Sequence, residues 1–218
     1  MKVIITGTTG LVGEGVLLEC LAHPEITQVL AVSRRSCGIT HPKLKECIVS
    51  DFLKLDSVNN QLSGYDACFY CAGISSLSLN EAAYSHITYD IPMYFAAKLA
   101  ILNPAMIFIH VSGGHTNGSE KGKIMWARVK GKTENALMRL PFKKVYNFRP
   151  GFMKPTPGQK NVKGYYKVIS SLSPVLKLLF PGQIITIREV GQAMINSVLK
   201  GYSKQVLEIK DIKALAEA

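Results

Sequence analysis

Residues 3–13 of this 218-residue chain carry its clearest chemical signal: Val3-Ile4-Ile5, then Thr6-Gly7-Thr8-Thr9-Gly10-Leu11-Val12-Gly13. An apolar run passing at once into three glycines three residues apart reads as a strand that turns tightly into a helix. Where glycine stands, no Cβ keeps a phosphate off the backbone, and the helix start offers free N–H groups and a positive dipole end. Such a turn suits a diphosphate. The spacing G-x-x-G-x-x-G is a variant of the dinucleotide fingerprint G-x-G-x-x-G. Its place after a strand and before the amphipathic stretch 11–21 is the context which that fingerprint requires.

About twenty residues beyond the glycines, sites that prefer NAD place an acid on the ribose 2′-hydroxyl. Here that place reads Val32-Ser33-Arg34-Arg35 and holds no carboxylate. Two guanidinium forks and a hydroxyl suit a 2′-phosphate, and a planar fork also stacks on adenine. NADP is therefore the expected cofactor and NAD the alternative. The competing reading leaves both arginines facing water.

The elements that must position these residues follow from the hydrophobic pattern. Apolar, β-branched segments at 2–6, 28–33, 47–49, 67–71, 106–111 and 145–149 alternate with helical stretches at 11–22, 81–102, 125–140 and 189–199. Pro92 starts, breaks or kinks the second of these helices. The alternation predicts an α/β fold: a Rossmann-type, doubly wound parallel sheet with helices on both faces. Right-handed crossovers then put the crevice at the carboxyl ends of the first and fourth strands, Thr6-Gly7 and Cys71-Ala72-Gly73. After Gly151 prolines and glycines punctuate short apolar pieces, so the chain reads as one domain over 1–218, a core over 1–151 and a small C-terminal lid segment with a last helix over 152–218. Within that segment 168–185 is apolar enough for a membrane surface, but Pro174 and Pro181 interrupt it and a buried lid helix is expected. Thr186-Ile187-Arg188-Glu189 fits a capping box at the start of the last helix.

Composition narrows the function classes. The net charge of +11 is uneven, −3 over 1–120 and +14 over 121–218. A basic half fits nucleic acid, an anionic surface or a phosphorylated ligand; the lysines are dispersed and lack interleaved aromatics, so nucleic acid ranks last. The five cysteines all lie in the first third, an odd number scattered over strands and helices, which is no disulfide framework. Cys68-Phe69-Tyr70-Cys71 has redox spacing, yet in a strand residues three apart point to opposite faces, and buried structural thiols are expected. No second Cys/His pair stands at ligand spacing, so no metal is expected. No apolar run is long enough to span a bilayer, and the strand at residue 2 leaves no room for a leader, which points to the cytoplasm.

Taken together, the glycines at 7, 10 and 13, Asp51-Phe52 after the third strand, Cys71-Ala72-Gly73 after the fourth and Arg149-Pro150-Gly151 after the sixth resemble the short-chain dehydrogenase/reductase superfamily in its extended or atypical branch. Within it the chain is similar to NAD-dependent epimerase/dehydratase-like, semialdehyde-dehydrogenase-like and Tat-interactive-protein-type oxidoreductases, helped by Trp126-Ala127-Arg128-Val129-Lys130-Gly131. The resemblance implies that backbone around Thr8, Thr9, Leu11 and Val12 binds the pyrophosphate. It puts Asp51 and Phe52 at the adenine, and Ala72 and Gly73 beside the adenosine ribose. It also implies an oxidoreductase or epimerase acting on a small carbonyl or sugar-nucleotide-like substrate, and a homodimer built on the helices of the catalytic face.

The superfamily's proton donor and its helper form a Tyr-x-x-x-Lys pair on one helix face. Here that pair is Trp126 and Lys130. An indole N–H donates a hydrogen bond but is no general acid near neutral pH; Lys130 keeps a binding role toward the nicotinamide ribose. The superfamily's serine falls on Ser112 or on Gly113. His115, or Tyr165 and Tyr166 in the lid, are substitute donors, with His86 and Tyr84 behind them. Two function classes result: an NADP-dependent enzyme with a non-standard proton donor, or a catalytically silent module that senses NADP(H).

Overall fold

The computed structural model describes residues 1–162 and 184–218. Among them are nine strands: β1 (Lys2–Thr6), β2 (Gln28–Ser33), β3 (Leu44–Ile48), β4 (Ala67–Tyr70), β5 (Ile107–Val111), β6 (Lys144–Arg149), β7 (Phe152–Lys154), β8 (Ile184–Thr186) and β9 (Val206–Glu208). The described helices are α1 (Leu11–Ala22), α2 (Asn59–Leu62), α3 (Glu81–Ser85), α4 (Ile91–Leu102), α5 (Met125–Leu137), α6 (Ile187–Leu199) and α7 (Ile209–Ala216). Seven strands pair in parallel in the order β3-β2-β1-β4-β5-β6-β9, and β7 and β8 form a separate parallel pair. The Rossmann-type sheet is therefore present, with the order reversing between β1 and β4. That reversal opens the crevice at the expected strand ends.

Two-residue alternation divides the core. Val3 and Ile5, Phe69, Ile107 and Ile109, and Phe148 pack on one face with Val16 and Leu17 of α1 and Val190 and Met194 of α6. Ile4, Cys68, Tyr70 and Phe108 pack on the other face with Phe95 and Leu99 of α4. A sheet covered on both sides needs apolar residues at nearly every strand position, which is why its strands read as continuous apolar runs. Cys68 and Cys71 belong to opposite cores, as their spacing predicts.

Several elements differ from expectation. Helix α1 is not amphipathic in practice: it is packed between the sheet and α6, and Gly13, Glu14, Gly15, Val16, Leu17, Cys20 and Leu21 are all buried. The helix expected over 81–102 is interrupted by a π turn at His86–Asp90, after which Pro92 sits in the first turn of α4. The longer turn frees a carbonyl, and the Thr133 hydroxyl of α5 donates to Thr88 O at 2.9 Å. Part of the expected lid joins the main body: β9 is the seventh strand of the sheet, and α7 follows it beyond the helix expected to be last. Helix α6 lies against α1 and carries the expected capping box, Thr186 with Glu189. The expected lid helix falls mostly, and Tyr165 and Tyr166 fall wholly, outside the described residues. Among the described residues no helix is long and apolar enough to cross a membrane.

Gly131 lets α5 lie directly on the loop after β5, since a Cβ there would overlap the Asn117 carbonyl. Gly131→Ala is therefore expected to destabilise the fold by about 2–3 kcal/mol, the upper range for overpacking. Denaturant unfolding checks this; a loss below about 0.5 kcal/mol would show that the loop gives way freely.

Candidate functional site

Each glycine of the first turn has its own job. Gly7 adopts φ +72°, and a Cβ on it would lie 2.7 Å from the backbone of Cys71 and Ala72. The Ala72 N–H also donates to Thr6 Oγ1 at 3.2 Å, so the ends of β1 and β4 are stitched together. Gly13 is buried against the Gly7 carbonyl, which a Cβ would overlap. Only Gly10 shows its open side to the crevice: its nearest neighbour there is Gly7 O at 3.3 Å. Two of the three glycines thus serve close packing, and one serves approach of a ligand.

Gly10 is also the N-cap of α1, and no side chain caps the helix. The leading amides remain available to an outside acceptor. Thr8 beside them is fully buried, and its hydroxyl oxygen has no hydrogen-bond partner. The turn fits a diphosphate.

Two cavities open over this turn and share Thr9, Gly10, Cys71 and Gly73. One of about 320 Å³ runs toward Ser33, Arg34, Asp51, Phe52 and Ala72. The other, about 460 Å³, runs along Leu11 and Val12 toward Arg35 and Lys160. Asp51 accepts the Leu53 N–H at 2.9 Å, and the Phe52 ring packs on Phe95 with centroids 5.4 Å apart. The Ser33 hydroxyl donates to the Arg35 carbonyl at 2.6 Å, shaping the turn that presents both arginines to solvent. The Cys71 thiol is pushed up by burial and stays protonated.

Ser112, Trp126 and Lys130 form a separate cluster that lines neither cavity. Trp126 and Lys130 stand four apart on α5, and the Lys130 ammonium donates to Ser112 O at 3.2 Å. The lysine stem passes beside Gly113, whose Cβ position lies 3.8 Å from Lys130 Cδ. Thr116 Oγ1 donates to Gly113 O at 2.7 Å, so its 3.1 Å bond with Ser112 Oγ uses the serine proton. Burial pushes the Lys130 ammonium below its usual range, opposed by the charge of Glu134. His115 is exposed with φ +63°, Tyr84 is buried in packing, and His86 pairs with Asp90 at 3.2 Å.

Arg149, expected with Pro150 and Gly151 near the cofactor, lines neither of the two cavities described; its guanidinium binds buried Glu134 at 2.9 and 2.5 Å and Glu208 at 3.0 Å, tying α5 to β6 and β9. Pro150 O accepts the Gly114 N–H at 3.1 Å, and Gly114 packs against Gly151. Sequence reasoning missed Glu134, and it missed Glu14 on α1. On α1 the small and apolar neighbours of Glu14 were a readable sign of its burial but not of its partners, whereas Glu134, one turn from Lys130, carried no such sign.

His110 lies in the sheet between these groups, with Nδ1 3.2 Å from Asn147 Oδ1. Burial first, then the Lys130 charge, pushes its pKa from 6.5 down to about 3. The unfolded chain therefore takes up a proton at a pH where the folded chain does not. This contribution to stability is complete above pH 6.5 and is lost as pH falls toward 3, by about 1.4 kcal/mol per unit. His110→Gln is expected to flatten the stability-against-pH slope by one proton between about pH 6 and 4; an unchanged slope in denaturant titrations would mean that the folded protein protonates this ring.

The chain matches the family model described as the NAD dependent epimerase/dehydratase family over residues 3–124. It is 28% identical over 154 residues to "Protein FMP52, mitochondrial" of Meyerozyma guilliermondii, spanning 70% of this chain and 65% of that protein. It is 24% identical over 217 residues to "Protein HTATIP2" of Rattus norvegicus, spanning 98% of this chain and 87% of that one. Its fold is similar to that of the Bordetella bronchiseptica enzyme WbmF, solved in complex with NAD+, at a TM-score of 0.68 and 15% identity, covering 99% of this chain and 76% of that one. With more than half of its length under the family model and the glycine turn in place, this chain belongs to the NAD dependent epimerase/dehydratase family.

Proposed function

We propose that the chain binds a nicotinamide dinucleotide across the β1–β4 crevice and acts as an oxidoreductase or epimerase on a small carbonyl or sugar-nucleotide-like substrate. The observation that carries this reading is the glycine turn, with an uncapped helix start, a bare Gly10 facing the crevice and a buried unpartnered hydroxyl on Thr8. Leu11 and Val12 would meet the diphosphate, Asp51 and Phe52 the adenine, and Ala72 and Gly73 the ribose. When bound, the cofactor supplies hydride chemistry. Lys130 would hold ribose hydroxyls, in keeping with its donation to the Ser112 carbonyl on the loop after β5. The names of the fungal relatives place them in mitochondria, against the cytoplasmic location expected from composition.

NADP is the preferred form in this reading. Arg34 lines the adenosine-side cavity beside Ser33, and no described carboxylate pairs with its guanidinium. Saturation with NADP at a hundredfold excess over Kd is expected to stabilise the fold by about 2.7 kcal/mol. Arg34→Ala is expected to weaken NADP about tenfold and to leave NAD unchanged, the loss of one charge-assisted contact. Equal affinity of the unaltered protein for both nucleotides by calorimetry would remove the NADP preference.

A second reading, a catalytically silent NADP(H) sensor, is favoured by Trp126 at the donor position and by the Ser112 hydroxyl being turned onto Thr116. The two readings separate by following deuterium from C4-labelled NADPH into carbonyl products. A sensor shows cofactor binding without transfer, and Trp126→Tyr is then expected to bring measurable reduction by restoring an acidic hydroxyl one turn from Lys130. Transfer by the unaltered chain rules the sensor out.

A further inference from the structure

The segment after β7 crosses the start of α1 and is pinned there by a buried carboxylate. Glu14 is 2% exposed, and its two oxygens accept the backbone N–H groups of Lys160 and Asn161, each at 2.7 Å. Gln159 completes the clasp, donating to Leu11 O at 2.6 Å and accepting the Thr156 N–H at 2.7 Å. A buried carboxylate is costly unless hydrogen-bonded, so both amides have little freedom to leave. The clasp holds Lys160 in the wall of the larger cavity, which Arg35, Leu11 and Val12 also line. Lys160 is exposed, and no described acidic group pairs with its ammonium or with the Arg35 guanidinium.

We propose that Lys160 is a binding residue for the diphosphate of the dinucleotide, and that Glu14 is the positioning residue that sets it there through the 156–162 strap. The inference rests on the proposed dinucleotide reading and adds a cation contributed from beyond the sixth strand, far from the glycine turn in sequence. Charge supports the choice of diphosphate. A diphosphate over the first turn of α1 meets the buried negative charge of Glu14, and the helix dipole alone is a weak counterweight. Lys160 and Arg35 flank the cavity over that turn, whereas Ser33 and Arg34 line the other one, where a 2′-phosphate would lie. Lys160 thus serves a group common to NAD and NADP.

Calorimetry with NAD and NADP on the full chain tests this. Lys160→Ala is expected to weaken both nucleotides by a similar factor, about tenfold, with the loss shrinking as salt rises and Lys160→Arg recovering most of it. Glu14→Gln, which keeps the shape but sets an NH2 donor against one of the two strap N–H groups, is expected to reduce affinity severalfold in the unaltered background and hardly at all in Lys160→Ala. Nucleotide binding that is indifferent to Lys160→Ala overturns the proposal and leaves the dinucleotide reading standing. A loss confined to NADP overturns the diphosphate assignment and moves Lys160 to the 2′-phosphate. An equal Glu14→Gln effect in both backgrounds overturns its positioning role. If the unaltered chain binds neither nucleotide, the proposal and the reading beneath it fall together.

Discussion

The β1–α1 turn meets the end of β4 backbone against backbone, and the arrangement of the crevice depends on it. Gly7 lies against Cys71 and Ala72 with no room for a Cβ, and Gly13 lies against the Gly7 carbonyl in the same way. These contacts fix the angle at which α1 leaves the sheet, so the first amides of the helix face outward over the strand ends. A side chain at either position would push α1 outward or part β1 from β4. The open turn is a by-product of dense packing: two glycines create the geometry, and the third leaves it open.

Glu14 on α1 and Glu134 on α5 are carboxylates that water barely reaches, and each fastens a distant segment. Glu14 takes two amides from the strap after β7. Glu134 takes two nitrogens of Arg149, which also holds Glu208 at the sheet's far edge. Removing one partner from such a pair leaves a stranded charge and costs far more than the pair contributes. The arrangement therefore works as a constraint on geometry more than as a reservoir of stability. It holds the strap that carries Lys160 on the start of α1, and Arg149 between α5 and the sheet's far edge.

The sheet was legible from sequence because its strands are buried on both faces and its turns carry glycine. The bounds of β1, α1 and β2 match the expected ones residue for residue. Strand β3 begins at Leu44, not at 47, because Lys45 and Glu46 on an edge strand face water and break the apolar run. The π turn was illegible: nothing in His86-Ile87-Thr88-Tyr89-Asp90 departs from an ordinary helix, and the Thr133 hydroxyl that meets Thr88 O lies on another helix. Strands β7, β8 and β9 have three residues each, too few for a two-residue period to show. In the site, the glycine turn and the residues lining the smaller cavity followed from local motifs. Glu14, Lys160 and the true engagement of Arg149 did not, since each depends on a partner far along the chain that no spacing rule brings near.

Helices α1 and α6 cross at Gly15 and Gly191, where the Ile187 side chain of α6 and the Glu19 side chain of α1 occupy the space a Cβ would need. The outward face of the first helix is dry only because a segment more than 170 residues later covers it. A fragment ending after the sixth strand would lack α6 and leave uncovered the flank of α1 that carries Gly15 and Glu19. During synthesis the amino-terminal motif must wait, with that flank uncovered, until residues 187–199 have emerged.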